Sequence, residues 1–357
     1  MTPDSCINRR PGRMKQQLLL LRYLATAACE YAWRSLKNLV KFFLGRKPYH
    51  DDRTMFFRQY VLHLAGLRPI RAVTCAYDSV NEGPCSEAHL VMNAINFARA
   101  SGLAYLHTPF KALGHADRPM QEWVTTWEAL FSLGAGEAAC DAGRRDVVNY
   151  HHNWENFELC FGWRDRREEL MRRFEALLPE FRRKYYLNKS PRMTDEVTVA
   201  VHIRRGDVPA NNPEMFPRTE TVLQTVSVVK SILDARKAPF SIRVYSQGDK
   251  SDFAELFPLG VEFFLDADPI WTMRELIEAD ILIMAKSFFS FYAGIISDGI
   301  KIFEPRGIPI SRHLFLPSWR LTESSHSGDW LMCQADGSID DAAFERQLSI
   351  LMLTKRK

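Results

Sequence analysis

The chain has 357 residues, 46% of them hydrophobic and 25% charged, which excludes a disordered polypeptide and leaves room for a large core and two domains. Its formal net charge of +4 is small and unevenly placed: residues 1–47 carry ten Lys or Arg against Asp4 and Glu30, a local +8 that leaves −4 for the remainder. A basic arm on a mildly acidic body argues against a nucleic-acid partner and for an anionic surface as partner of the arm.

In chain order, the arm comes first. Leu18–Trp33 is apolar but interrupted by Arg22 and Glu30, short of the ~20 uninterrupted apolar residues of a spanning helix. A signal peptide would take Arg9, Arg10, Arg13 and Lys15 as its basic start and Leu18–Leu21 as its apolar centre, which Arg22 splits. The spacing better predicts an amphipathic helix, with Arg34, Lys37 and Lys41 on one face and Leu36, Leu39, Val40 and Phe43 on the other. Such a helix suits anionic lipid, although a helix packed on the body fits the same pattern. The expected location is cytoplasmic and peripheral to a membrane. The seven cysteines (6, 29, 75, 85, 140, 160 and 333) are odd in number and form no Cys-x-x-Cys pair, so reduced thiols are expected in place of zinc or a disulfide framework. His151-His152 stands without a third ligand at metal spacing, and no metal site is expected.

Beyond the arm, Ile70–Tyr77 reads as a strand, Asp78–Pro84 as a turn, and Ser86 as the cap of a helix running to about Ala100. Gly102 ends that helix, and residues 103–106 form the next strand. This is a doubly wound unit. Residues 165–186 form a charged helix whose Glu168, Glu169, Arg172, Arg173, Arg182, Arg183 and Lys184 are expected in solvent. Asn188–Arg192 breaks it as a linker. The expected domains are therefore the arm 1–47, a first Rossmann-like domain 48–190 and a second domain 191–357. The second reads strand 197–203, helix 220–236, strands 241–245 and 261–264, helix 272–278, strand 281–284, helix 289–297 and strand 300–303. Strands and helices alternating at this spacing predict an α/β fold with mostly parallel sheets.

The richest stretch is Val199–Asp207. An apolar strand (Val197, Val199, Val201) ends abruptly in Arg204, Arg205, Gly206 and Asp207. Open α/β sheets bind ligands beyond the carboxyl ends of their strands, and a guanidinium fork suits phosphate oxygens. A plain solvated loop that blunts edge pairing is the alternative.

Three segments carry a family resemblance. His202-Ile203-Arg204-Arg205-Gly206-Asp207 resembles the His-x-Arg-Arg-Gly-Asp motif of α-1,2-fucosyltransferases and, more distantly, of α-1,6- and protein O-fucosyltransferases. Residues 279–294, with Ser287-Phe288-Phe289-Ser290 at their centre, are similar to the Cys-Asp-x-x-Ile-x-Ala-Asn-Ser-Ser-Phe-Ser-Trp-Trp-Gly-Ala segment of those enzymes. Glu82–His89 resembles their glycine loop entering the first-domain helix. The resemblance implies a GT-B fold of two facing Rossmann-like domains. It further implies an inverting transferase with GDP-fucose as donor, no metal, and a hydroxyl of a glycan, lipid-linked oligosaccharide or protein as acceptor. Negative charge developing on the leaving diphosphate would be met by arginine and backbone N–H groups. Carried over residue by residue, Arg204 contacts the β-phosphate and His202 braces the nucleotide. Arg205, Asp207 and Gly83 belong to the same donor site, and Ser287 and Ser290 hold phosphate at a helix start. Inversion needs a base, for which Glu82, directly before Gly83, and Glu214 are the candidates.

The departures from the pattern also matter. Thr272 stands where the family has an Asp that helps read guanine, with Asp268 nearby as a substitute. Lys286 replaces an asparagine, Phe291 and Tyr292 replace two tryptophans, and Pro84-Cys85 stands where a second glycine is common. These keep open another nucleotide sugar as donor, or a non-catalytic carbohydrate- or nucleotide-binding protein.

Overall fold

The computed structural model describes residues 69–76, 82–150, 164–206, 218–304 and 329–355, apart from Ala142 and Met193, and isolated positions between 25 and 67. Nearly all of the basic arm, His151, His152, Asp207 and Glu214 lie outside the described residues.

The first sheet has strands β1 (Ala72–Thr74), β2 (Ala104–His107), β3 (Ala138–Ala139) and β4 (Val147–Asn149), all parallel, in the order β3-β2-β1-β4. Helix α1 (Pro84–Ser101) follows β1, and α2 (Met120–Phe131) follows β2. Gly83, not Ser86, is the N-cap of α1. Pro84 at the first helical position sets φ without losing a needed donor, so the cap lies three residues before the predicted one. Ser86 instead donates its hydroxyl to Glu82 at 3.0 Å. The helix ends at Gly102, whose φ of 67° is left-handed.

Helix α3 (Arg164–Tyr186) leads toward the second sheet. Its charged residues are not all solvated as expected: Lys184 is buried and donates to the carbonyls of Leu133 (3.0 Å) and Ala135 (2.5 Å) and to Glu137 (2.9 Å). A buried ammonium is tolerated here because three acceptors meet its three donors.

The second sheet comprises β5 (Val197–His202), β6 (Phe240–Ser246), β7 (Glu262–Leu265), β8 (Ile281–Met284), β9 (Ile300–Phe303) and β10 (Trp330–Met332). All pair in parallel, in the order β10-β9-β8-β5-β6-β7. The connecting elements are α4 (Thr219–Ala235), a 3₁₀ segment (Lys250–Leu259), α5 (Pro269–Ile277) and α6 (Phe288–Ile296), with α7 (Asp341–Lys355) at the end. Val199, Val201, Val244 and Ile283 pack under α4 and α7, against Val226, Val229, Phe344 and Leu348. Ala200, Tyr245 and Leu282 on the opposite face join a core that runs on through Tyr292 and Ile295 of α6 to Trp127 and Phe131 of α2 and Ile95 of α1. The fold is therefore α/β, with two parallel Rossmann-like sheets. One continuous apolar core joins them.

Candidate functional site

Counted from its own first strand, the second sheet runs third, second, first, fourth, fifth, sixth. In sheets of this order the connections depart to opposite faces on either side of the first and fourth strands, which opens a crevice at their carboxyl ends. Here those strands are β5 and β8. The chain leaving β5 carries His202, Arg204, Arg205 and Gly206; the chain leaving β8 carries Lys286 and Ser287 into α6.

Side chains tie the two exits together. Ser287 is the N-cap of α6, and its hydroxyl accepts the Ser290 N–H at 3.1 Å. Ser290, fully buried, accepts the Ala285 N–H at 3.1 Å and hydrogen-bonds Nδ1 of His202. His202 also lies against Phe289, with ring centroids 5.3 Å apart. Burial first, and the Arg204 charge second, lower its pKa to about 4, so the ring is neutral at physiological pH. Arg204 reaches the Lys286 carbonyl at 3.4 Å, which sets its guanidinium across the crevice. Arg205 donates to the Arg204 carbonyl at 3.0 Å and lies over the Phe253 ring. Gly206 has φ of 76°, and a Cβ there would stand 2.2 Å from Oε1 of Gln247. Only glycine turns the chain this closely past β6.

The crevice thus holds the Arg204 guanidinium and a helix N-terminus capped by a serine, an arrangement that favours anions, and Arg205 adds a second positive charge at the end of β5. Lys286 adds an ammonium, ion-paired with Glu304 at 2.6 Å. Among the described residues, no group of three or more His, Cys, Asp or Glu is placed to hold a metal ion.

Helix α1 packs against the start of α6. His89 of α1 stacks on Phe291 (5.4 Å, 22°) and packs on Phe288 (5.3 Å) at the start of α6. Glu82 and Gly83 precede α1. Glu82 is exposed, its carbonyl takes the Gly114 N–H at 2.7 Å, and a Cβ on Gly83 would touch the His115 ring at 3.2 Å. Asp268 stands apart from the crevice: its Oδ1 caps α5 through the Trp271 N–H (2.8 Å), and its Oδ2 takes Arg118, before α2, at 2.7 Å. Burial works to raise its pKa, but these hydrogen bonds outweigh burial and hold it below the ordinary range. Thr272 is buried.

The sequence reading missed Glu87. It sits in the first turn of α1 at 2% exposure, with Oε1 lacking a hydrogen-bond partner among the described residues. Burial, then the neighbouring Glu82 charge, pushes its pKa up to about 7. The native state therefore binds more protons than the unfolded chain between pH 4.5 and 7, and stability falls as pH rises through that window. Glu87→Gln removes the titrating group. Denaturant unfolding should show the variant gaining about 2–3 kcal/mol on wild type between pH 4.5 and 7.5. A difference that does not change with pH would mean that Glu87 stays ionised when folded.

No protein-family model matches the chain, and no curated protein sequence matches it. Among solved structures it is similar to E. coli heptosyltransferase WaaC with ADP-2-deoxy-2-fluoro heptose (TM-score 0.37, 12% identity, covering 78% of this chain and 99% of that one). It is also similar to WaaG, a glycosyltransferase involved in lipopolysaccharide biosynthesis (0.27, 10%, 80% and 92%). A third is α,α-trehalose 6-phosphate synthase from Burkholderia multivorans (0.29, 10%, 89% and 75%). Likenesses this slight assign neither ligand nor reaction.

Proposed function

We infer that the protein is a glycosyltransferase that holds a nucleotide sugar by its diphosphate in the crevice between β5 and β8. The observation that carries this is Arg204 reaching across the strand-order reversal to the Ser287-capped start of α6, with Arg205 beside it over Phe253. When the sugar–phosphate bond breaks, charge accumulates on the leaving diphosphate, and fixed donors already aimed there stabilise it without reorganising. His202, kept neutral and held by Ser290, braces this wall. The acceptor hydroxyl enters from the first sheet, where exposed Glu82 at the start of α1 serves as base. Attack from the face opposite the diphosphate inverts the anomeric carbon. No step in this scheme calls on a metal.

The motif resemblance favours GDP-fucose as donor. Another nucleotide sugar is the second reading, and a specific observation favours it: the substitute guanine reader, Asp268, is engaged by Arg118 and by the α5 cap. A thermal-shift panel of GDP, UDP, ADP and CMP in excess chelator tests the crevice. Nucleoside diphosphates should raise the unfolding temperature and CMP should do so less, since ligands that bind only the folded state stabilise it. Equal or absent shifts for all four would remove the diphosphate site.

A further inference from the structure

Trp271 is a large aromatic side chain left 38% exposed, near the carboxyl ends of the second sheet. It occupies the first turn of α5, pinned by the Asp268 cap on its own N–H. Its ring packs on Phe264 (5.2 Å between centroids) and Tyr245 (5.8 Å). His202, Tyr245 and Phe264 are register partners on β5, β6 and β7, so they form one row across three strand ends on one face. Tyr245 is buried and its hydroxyl donates to Glu275 at 3.1 Å, which anchors the stack from beneath. Trp271 is thus a rigid ring with part of its surface open, resting on two other rings.

Its place relative to the crevice limits what it can bind. Neighbouring strands lie about 4.8 Å apart, which puts a ring over β6 and β7 roughly 10 Å from the β5–β8 reversal. That is the reach of a nucleoside whose diphosphate sits at the reversal. Between the two lies Gln247, whose amide abuts the Gly206 backbone and offers both a donor and an acceptor. At the two positions where the sequence offers a guanine-reading carboxylate, none is open: Thr272 is buried and uncharged, and both oxygens of Asp268 are engaged, by the Trp271 N–H and by Arg118.

We propose that the exposed face of Trp271 is the platform on which the donor's nucleobase stacks, so that this protein selects purine nucleotides by ring area and not by a carboxylate reading the guanine edge. The proposal rests on the nucleotide-sugar reading above. It predicts that GDP and ADP bind alike, both more tightly than UDP, because every base offers a π-face and the larger purine overlaps more of the indole.

Isothermal titration of the full-length protein with GDP, ADP, UDP and inorganic pyrophosphate, in EDTA, tests it. Trp271→Leu fills much of the volume over Phe264 but has no π-face; it should weaken GDP and ADP by about tenfold or more and leave pyrophosphate unchanged. Trp271→Phe should restore most of the loss. Wild-type affinity of Trp271→Leu for both purine nucleotides overturns the proposal, as does a preference for GDP over ADP of a hundredfold, which only edge reading produces. Wild-type protein that binds pyrophosphate as tightly as GDP overturns the platform and leaves the diphosphate site standing. Protein that binds neither overturns both.

Discussion

Arg204→Lys should lower turnover by about 10²–10³ while changing apparent donor affinity far less. The substitution keeps one positive charge at the end of β5 and removes the fork. Arginine can hold the Lys286 carbonyl (3.4 Å in the native protein) with one nitrogen and present others to phosphate oxygens. A lysine ammonium is a point charge on a flexible stem and cannot fix both partners in one plane. The loss should therefore fall on the step in which diphosphate charge develops. Steady-state kinetics that separate kcat from KM decide the matter. Near-normal kcat would mean that Arg204 does not serve the leaving group.

Trp127→Ala should destabilise the whole protein by about 3–5 kcal/mol, the usual cost of deleting a buried tryptophan side chain. Trp127 is 1% exposed and touches Trp123 (5.5 Å), Phe131 (5.0 Å) and, across the two sheets, Phe289 of α6 (6.3 Å). Phe289 in turn flanks His202. The cavity would open within the core that both sheets share, so calorimetry should show one transition moved down by several degrees. Two separated transitions would contradict the shared core and return the molecule to two independently folding halves.

Much of the second sheet was legible because its strands are buried on both faces and read as short apolar runs. Ile281–Met284 and Ile300–Phe303 begin and end where the pattern places them. Helix α2 was also legible and was not read: Trp123, Val124, Trp127, Leu130 and Phe131 recur at helical spacing. Strands β3 and β4 have two and three residues, too few for any period to show. For the site, sequence alone placed the arginines at a strand end and Ser287 at a helix start, since both follow from local pattern. The Asp268 contact was beyond its reach, because that carboxylate's role depends on Arg118, 150 residues earlier. Glu87 escaped for a similar reason: an acidic residue in a first helical turn looks like ordinary dipole compensation, and only the packing of α1 shows that it is buried.

We propose that fixed arginine and a helix N-terminus meet the charge of a departing diphosphate. The most direct measurement is release of nucleoside diphosphate from a panel of nucleotide sugars that includes GDP-fucose, in excess EDTA, with water as acceptor. Wild-type protein should release nucleoside diphosphate from at least one donor at a rate unchanged by the chelator, and Arg204→Lys should all but abolish it. Release that appears only when Mg²⁺ or Mn²⁺ is added would show that the charge is met by a cation and not by Arg204.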